Sequence, residues 1–453
     1  MTSRPTNWAG NITFGAERVQ SPTSLERLQD LVAGSHHIRP LGTGHSFNRI
    51  ADSAGDLVSV AALPPQCVVD HERSAVTVSA GMQYGALAAL LHEAGYALPN
   101  LGSLPHISIA GAIATGTHGS GSTVGNLAKA VAALQMVTAG GELVETSRET
   151  DADQFCGAVV GLGALGVVTQ VTLDVVPTFA VAQWVYDDLP RAAMADHIEE
   201  IFSSAYSVSL FTTWRDASFH QVWRKHRREG SSAWEPPRRW LGATLADAPR
   251  HPIAGMPATR CTEQLGAPGP WHARLPHFRM DHTPSSGREL QSEYLLPRRH
   301  AVDALAAIES IRHVVAPLVQ VSEIRTVARD DLWLSPSYQR DSIAIHFTWV
   351  PDIAAVTPVL GAVEEQLEPF SPRPHWGKLF TTSPQTLCRQ YKRYADFTTL
   401  MRRYDPTGKF RNELLDSWFP PGAAPQSRPS PEEGHGVEHL ANQRRGAADQ
   451  TRT

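Results

Sequence analysis

The sequence lacks long apolar runs, paired cysteines and an excess of positive charge. No apolar stretch approaches the roughly 18 residues of a membrane-spanning helix, and no signal-peptide pattern opens the chain. The four cysteines are widely separated and do not have the spacing of a disulfide framework. The formal net charge of -5 offers no basic field to attract nucleic acid. We therefore expect a cytoplasmic protein that binds neither nucleic acid nor a membrane.

The motifs of two large enzyme classes are also missing. There is no Gly-x-Ser-x-Gly segment, so the sharply turned nucleophile of an α/β-hydrolase is not expected. The 20 histidines include no His-Glu-x-x-His motif and no paired metal-ligand spacing. We therefore expect neither a Ser-His-Asp hydrolase nor a bound metal.

The length and patterning of the chain indicate two domains. A chain of 453 residues exceeds what one hydrophobic core usually supports. Short strand patterns alternate with helical ones, which indicates an α+β fold. Changes in composition and pattern divide the chain into a first domain (1–178), a second domain (179–378), a further segment (379–419) and a tail (420–453). The tail is poor in apolar residues, which predicts disorder.

Individual elements can be placed within these domains. In the first we expect a capped helix after Ser24, strands over 75–79 and 167–176, a helix over 87–94 and a hairpin around 139–141. In the second we expect a loop-rich stretch over 231–287, helices over 302–315 and 354–367, and strands over 318–327 and 342–350 that share one sheet. A helical pattern follows Lys378 and continues to Tyr404.

Three glycine-rich loops lie in the first domain, around Gly42, Gly111 and Gly161. Backbone N–H groups of such loops can form an anion-binding nest, and small residues let a dinucleotide approach closely. One such loop is more often a simple turn, but three in one domain favour a nucleotide. The third loop matches Gly-x-Gly-x-x-Gly, yet it follows a helical pattern and precedes a strand. That is the reverse of a Rossmann fingerprint, so NAD binding of that type is excluded.

Polar pairs mark two strands of the second domain. Glu323 and Arg325 are two residues apart, as are His346 and Thr348, so each pair shares one face of its strand. On the second strand, the apolar residues of 345, 347 and 349 occupy the other face. This arrangement is typical of a site, although a solvated sheet face with a surface ion pair has the same pattern. Lys378, after His-Trp-Gly, fits either a partly dry pocket or an ordinary exposed lysine.

The motifs together resemble one family, the bacterial alditol (xylitol) oxidases of the vanillyl-alcohol-oxidase type. The resemblance covers all but the tail and rests on the following segments: Asn7-Trp-Ala-Gly-Asn-Ile-Thr, Gly42-Thr-Gly-His-Ser-Phe-Asn, Ser103-Leu-Pro-His-Ile-Ser, Ala114-Thr-Gly-Thr-His-Gly-Ser-Gly, Cys261-Thr-Glu-Gln, Glu323-Ile-Arg-Thr, His346-Phe-Thr-Trp and His375-Trp-Gly-Lys. It implies a two-domain vanillyl-alcohol-oxidase/PCMH-type FAD-binding fold. The first domain would bind FAD, the second would be a sheet-plus-helices cap that binds substrate, and 379–419 would return to the FAD domain.

The resemblance also implies the residues of the cofactor site. His45, in the Gly-His-Ser-Phe motif, would carry FAD covalently on the flavin 8α-methyl group. The other residues implied for the FAD site are Gly42, Thr43, Gly44, Ser46, Ser103, Ser108, Gly111, Thr115, Gly116, His118, Gly119, Gly166, Val167 and Asn412.

The implied substrate site takes a polyol. Ser103, Glu323, Arg325, His346, Thr348 and Lys378 match the family's substrate-binding residues. Among these, Arg325 and Lys378 would be catalytic. They would hold the C1 oxygen while a hydride passes to flavin N5, Arg325 orienting it and Lys378 accepting the hydroxyl proton. Oxygen would then be reduced to hydrogen peroxide.

Three other readings stay open at this point. An aldonolactone oxidase shares several of these motifs, although Ser103-Leu-Pro-His and His346-Phe-Thr-Trp favour alditols. A dehydrogenase would use a protein or dye acceptor instead of oxygen, and a silent flavin- or sugar-binding module would catalyse nothing. Gly102 stands where the family has alanine, and the smaller residue predicts easier access of oxygen. A monomer is expected, because no unassigned apolar stripe stands out.

Overall fold

The computed structural model describes residues 4–16, 18–228, 234–282 and 285–421. The predicted disordered tail therefore lies outside the described residues, except for Pro420 and Pro421. Among the described residues, no helix is both long and apolar enough to cross a membrane. All four cysteines are described, and each is a free thiol.

The first part of the chain, which contains the glycine-rich loops, has two main sheets. A small parallel sheet has the order Val19–Gln20, Asp56–Val58 and Ile38–Pro40. An antiparallel sheet has the order Cys67–Asp70, Ala75–Ser79, Val167–Asp174, Val131–Val137 and Leu143–Ser147. A short antiparallel pair joins Tyr96–Ala97 to Val176–Pro177.

Helices pack against these sheets, and their sequence signals are visible. Leu25–Gly34 begins after Ser24, whose side chain accepts a hydrogen bond from the backbone N–H of Arg27. This N-cap confirms the predicted helix start. The other helices of this part are Tyr84–Glu93, Ile109–Ala114 and Ala152–Val159. The loop with Gly161 and Gly163 indeed follows a helix and leads into the strand Val167–Asp174, as predicted.

A large sheet dominates the second part of the described chain. Its strands have the order Arg239–Trp240, Ala243–Leu245, Ala180–Pro190, Ser218–Arg228, Ser207–Thr212, Val319–Val327, Ser342–Trp349, Leu290–Pro297 and Arg373–Pro374, and Gly269–Pro270 pairs with Ala180–Pro190. The two predicted polar strands are neighbours and pair antiparallel. Their shared sheet is therefore confirmed.

One face of the large sheet packs on helices, and the other faces a cavity. Ala193–Ser203, Ala301–Ser310, Arg312–Val315 and Ile353–Leu367 belong to the helical layer. Ile345, Phe347 and Trp349 lie in its apolar core, as period-two alternation predicts. The remaining face is left for the polar residues of the same strands.

The C-terminal described segment packs back on the first part of the chain. It contains Pro384–Gln390, Tyr394–Tyr404 and Glu413–Trp418. The single helical pattern predicted up to Tyr404 is thus two helices. They are interrupted at Tyr391, which is buried with its ring 4.9 Å from that of Trp376. Burial of this ring overrides the local helical preference.

Candidate active site

A long cavity within the described chain is lined by both the glycine-rich loops and the polar face of the large sheet. Most of the predicted site residues form its wall: Gly42, Thr43, Gly44, His45, Ser46, Ser103, Ser108, Gly111, Thr115, His118, Gly166, Val167, Glu323, Arg325, His346, Thr348 and Lys378. The structure therefore brings together residues that are more than 300 positions apart in the sequence.

Three predicted cofactor residues are not part of the cavity wall. Gly116 adopts a positive φ of 66°, and a Cβ on Gly119 would lie 2.2 Å from the carbonyl oxygen of Leu101. Asn412 caps the helix Glu413–Trp418. Each has a local structural reason for its identity, and a direct contact with FAD stays a prediction for all three.

The first two glycine-rich loops meet at Ser108. A Cβ on Gly42 would lie 2.3 Å from the Ser108 Oγ atom, and one on Gly111 would lie 2.8 Å from it. The Ser108 backbone N–H donates to Thr43 Oγ1 at 3.2 Å. Only glycine allows so close a contact, so the two loops form a single surface along the cavity.

His45 is a partly buried histidine in the cavity wall, and one of its ring nitrogens is unpartnered within the described chain. Its Nδ1 atom lies 2.9 Å from Thr43 Oγ1, while its buried Nε2 atom has no hydrogen-bond partner among the described residues. Burial, reinforced by nearby His106, lowers the pKa of His45 to about 4. The imidazole is therefore neutral at physiological pH, the form that can act as a nucleophile. The Trp8 ring stacks on it with a centroid distance of 5.1 Å.

The loop that carries His45 is tied to the loop that carries Lys378. Asn48 Nδ2 donates to the carbonyl oxygens of Trp376 and Lys378 at 2.8 and 2.7 Å. The Phe47 N–H donates to the Gly377 carbonyl at 2.8 Å. Three hydrogen bonds, two from the Asn48 side chain and one between backbone groups, thus hold the loop of His45 against the loop of Lys378.

The part of the cavity wall that belongs to the large sheet is built on a row of side chains across four strands. His346 lies opposite Glu293 on one neighbouring strand and opposite Glu323 on the other. Glu323 in turn lies opposite Phe211. Side chains directly opposite each other are close neighbours on one sheet face, so the sheet register alone assembles this row.

Glu293 is the central charge of the site. Its side chain is fully buried and lies 2.7 Å from Lys378 Nζ, 2.6 Å from Arg325 Nη2 and 3.3 Å from His118 Nε2. Burial alone would raise the pKa of this carboxyl, but its interactions with Lys378, His118 and Arg325 outweigh burial and hold the pKa well below its usual range. Glu293 is therefore ionised and balances the buried cations.

Lys378 and His346 have defined hydrogen-bonding roles. Lys378 Nζ lies 2.8 Å from His346 Nδ1, and His346 Nε2 lies 3.1 Å from Thr348 Oγ1. Burial and the charge of Lys378 hold the pKa of His346 well below its usual range, so its ring carries a single proton. Because an amine donates to Nδ1, that proton is on Nε2 and points to Thr348.

The charges of the site suit an uncharged ligand. Arg325 Nη1 donates to Ser103 Oγ at 3.3 Å, and Arg325 Nε is 3.6 Å from Glu323 Oε1. Burial raises the pKa of Glu323, but Arg325 and His277 together bring it far below its usual range. Two carboxylates therefore face Arg325 and Lys378 in the cavity. Acceptors and donors therefore alternate along this wall, and a ligand with several hydroxyl groups could donate to the carboxylates and accept from the cations.

Sequence reasoning missed Glu293 and His277, which both line the cavity. Glu293 occupies the strand Leu290–Pro297, which reads as a mostly apolar run, and His277 lies in a loop-rich stretch. A charged residue within a buried strand was the available signal for Glu293. His277, whose Nε2 lies 2.7 Å from Glu323 Oε1, had no local signal.

Comparisons with known proteins agree with this geometry. Residues 16–147 match the family model "FAD binding domain", and residues 282–418 match "D-arabinono-1,4-lactone oxidase". The chain is 51% identical to the alditol oxidase of a Streptomyces species over 418 residues, which cover 92% of this chain and 99% of that protein. It is 30% identical to the L-gulono-1,4-lactone dehydrogenase of Mycobacterium tuberculosis, over 90% and 97% of the two chains.

A solved structure supports the fold. Cholesterol oxidase from Brevibacterium sterolicum superposes with a TM-score of 0.73, covering 92% of this chain and 97% of that one at 16% sequence identity. The α+β vanillyl-alcohol-oxidase/PCMH-type FAD-binding fold expected from the resemblance is therefore confirmed.

Proposed function

Because the chain belongs to the alditol oxidase family of FAD-binding oxidoreductases, we propose that it oxidises the C1 primary hydroxyl of an alditol such as xylitol or sorbitol to the aldose. One observation carries the proposal: the glycine-rich loops and the polar row of the cap sheet line the same cavity. In the balanced reaction, one alditol and one oxygen molecule give one aldose and one hydrogen peroxide.

The residues present fit FAD. Gly42 and Gly111 leave the loop surface around Ser108 free of their own side chains, and His45 presents an unpartnered buried nitrogen in the cavity wall. We propose that the cofactor lies along these loops and is bonded covalently to His45. When bound, FAD accepts the hydride that leaves C1 of the alditol.

The polar residues would hold the alditol. Glu323 accepts hydrogen bonds from hydroxyl groups of the alditol. Thr348 can accept from or donate to a further alditol hydroxyl, and Ser103 holds a hydroxyl beside the cofactor. Arg325 is always charged and orients the C1 oxygen. Its buried position strengthens this interaction, because water does not screen it there.

Lys378 is placed to remove the hydroxyl proton. Burial lowers the pKa of Lys378, Arg325 lowers it further, and Glu293 opposes them, so that the net pKa lies below the usual value. An uncharged amine has two hydrogens, and two acceptors already take them: Glu293 Oε2 at 2.7 Å and His346 Nδ1 at 2.8 Å. Its lone pair is then left for the substrate hydroxyl. This is the geometry of a general base.

The covalent bond and the reaction are tested separately. Acid precipitation and filtration should leave flavin fluorescence with the wild-type chain, and His45→Ala should release it. Incubation of the purified protein in air with xylitol or sorbitol should form hydrogen peroxide and aldose in equal amounts. Flavin released from the wild type would remove the covalent bond from the proposal, and absence of peroxide with every alditol would remove the activity.

A lactone substrate is the second candidate. It is favoured by the match of residues 282–418 to the lactone oxidase family model. The alditol reading has the greater support, since identity to the alditol oxidase is 51% and that to the lactone dehydrogenase is 30%. We further propose a cytoplasmic monomer, a location supported by the free thiols of all four cysteines.

A further inference from the structure

Behind Glu323 lies a second buried polar cluster, formed by Lys225 and His277. Lys225 comes from the strand Ser218–Arg228, and its side chain is 1% exposed. Its Nζ atom lies 2.6 and 3.0 Å from the carbonyl oxygens of Leu275 and Pro276, and 3.1 Å from His277 Nδ1. Three acceptors thus surround one amine. This number matches the three protons of the charged form.

The direction of each hydrogen bond follows from this arrangement. Burial lowers the pKa of Lys225 to about 7, and the Glu323 carboxylate opposes that shift. Burial also lowers the pKa of His277 to about 4, so its ring carries one proton. Since Lys225 donates to Nδ1, the proton of His277 is on Nε2. It is donated to Glu323 Oε1 over 2.7 Å.

The cluster also explains the pairing of the buried charges. Arg325 lies 2.6 Å from Glu293 but 3.6 Å from Glu323. Because Lys225 provides a nearby positive charge for Glu323, Arg325 can pair with Glu293 and interact with the substrate. The contacts of Glu323 with His277 and with Arg325 are both made by Oε1, which leaves Oε2 for a ligand.

We propose that Lys225 and His277 are positioning residues for substrate: Lys225 fixes the tautomer of His277, and His277 holds Glu323 Oε1 so that Oε2 binds an alditol hydroxyl. The backbone N–H of His277 also donates to the Ser103 carbonyl at 3.1 Å, which ties the serine loop to the same cluster. The inference rests on the proposed function, because it gives Glu323 its role in binding the alditol.

Variants of His277 separate the hydrogen-bonding role from packing. The ring is enclosed by Phe211 and Trp223, with centroid distances of 5.6 and 5.1 Å. His277→Phe retains an aromatic ring but removes both hydrogen bonds. In His277→Gln, the amide oxygen can accept from Lys225 and the amide nitrogen can donate to Glu323. Ser209→Ala is the matched control. Ser209 Oγ lies 3.5 Å from His277 Nε2, and the substitution removes only this long contact.

The experiment is anaerobic flavin reduction by xylitol, which gives the substrate Kd and the limiting reduction rate separately. For His277→Phe we expect a Kd raised about tenfold or more, as for loss of roughly 1.4 kcal/mol of binding, with the limiting rate changed by less than about threefold. His277→Gln should restore the Kd to within about threefold of the wild type, and Ser209→Ala should leave it unchanged.

The outcomes separate this inference from the proposed function. The positioning role would be overturned by an unchanged Kd in His277→Phe. It would also be overturned if His277→Gln bound xylitol as weakly as His277→Phe does. In both cases, flavin reduction of the wild type by xylitol would still support the proposed function. If His277→Phe incorporates no flavin, Lys225→Met gives the same test, because it removes the donor that fixes the His277 tautomer and should also raise the Kd. A wild-type protein that no alditol reduces would remove both.

Discussion

Lys378 Nζ lies 2.7 Å from Glu293 Oε2, and the two residues are 85 positions apart in the sequence. The carboxylate is fully buried, so this pair is shielded from water. Its contact raises the pKa of Lys378 against the lowering effects of burial and Arg325. The balance of these effects decides at which pH the amine can accept a proton.

Replacement of Lys378 by methionine should abolish the general base while it keeps a chain of similar shape. We expect kcat to fall by about 10²- to 10⁴-fold, the usual contribution of a positioned general base. Stopped-flow flavin reduction by xylitol measures this step directly. Lys392→Met is the matched control, because Lys392 is exposed and outside the cavity. A Lys378→Met variant with wild-type kcat and an unchanged pH profile would exclude the base role.

Glu293→Gln should shift the pH dependence of kcat/KM. A general base works when unprotonated, so activity rises with pH and levels off above the pKa of Lys378. The carboxylate raises that pKa, and its removal therefore moves the rising limb to lower pH, by about 1–3 units for a charge at this distance. A pH profile of the variant measures the shift. Movement of the limb to higher pH would show that Glu293 does not act on Lys378.

Thr348→Val should weaken substrate binding without blocking chemistry. Valine keeps the shape of threonine but cannot accept from His346 Nε2 or bind a substrate hydroxyl. We expect KM for xylitol to rise about tenfold, as for loss of one buried hydrogen bond, with kcat changed much less. Thr357→Val, at an exposed helix position, is the control. Equal KM values for the two variants would show that Thr348 does not contact the alditol.

Gly102→Ala should fold normally and slow the reaction with oxygen. The nearest atoms to an added Cβ are Ile107 Cδ1 at 3.7 Å and Thr117 Cγ2 at 3.8 Å, which are ordinary contacts. The free energy of unfolding should therefore change by less than about 1 kcal/mol. Because Gly102 lines the cavity, the methyl group narrows the path of oxygen. Reoxidation of the reduced protein in air measures it, with anaerobic reduction by xylitol as the control. An unchanged reoxidation rate would place the oxygen path elsewhere.

Local patterns in the sequence were sufficient for much of the fold. The Ser24 cap, the alternation along the strand Ser342–Trp349 and the hairpin after Val131–Val137 each have signals within a few residues, and each is confirmed. The helix break at Tyr391 was missed because its cause is a contact with Trp376, which no local window contains.

Site residues within sequence motifs could be predicted, whereas those brought to the site only by strand register and packing could not. Glu323, Arg325, His346, Thr348 and Lys378 were identified by their motifs, and all line the cavity. Glu293 and Lys225 lie in strands that read as structural, and their importance comes from the register that sets Glu293 opposite His346 and from burial of Lys225 beside His277. Asn412, which the resemblance also implied for the FAD site, caps a helix and lies outside the cavity wall.

The most direct test of the account is anaerobic mixing of the purified, flavin-loaded protein with xylitol, sorbitol and L-gulono-1,4-lactone in parallel. We expect the alditols to bleach the visible absorbance of the flavin rapidly and the lactone to do so slowly or not at all. When one equivalent of alditol per flavin is used, admission of air should restore the absorbance and form one hydrogen peroxide per flavin. Rapid bleaching by the lactone with none by either alditol would contradict the account.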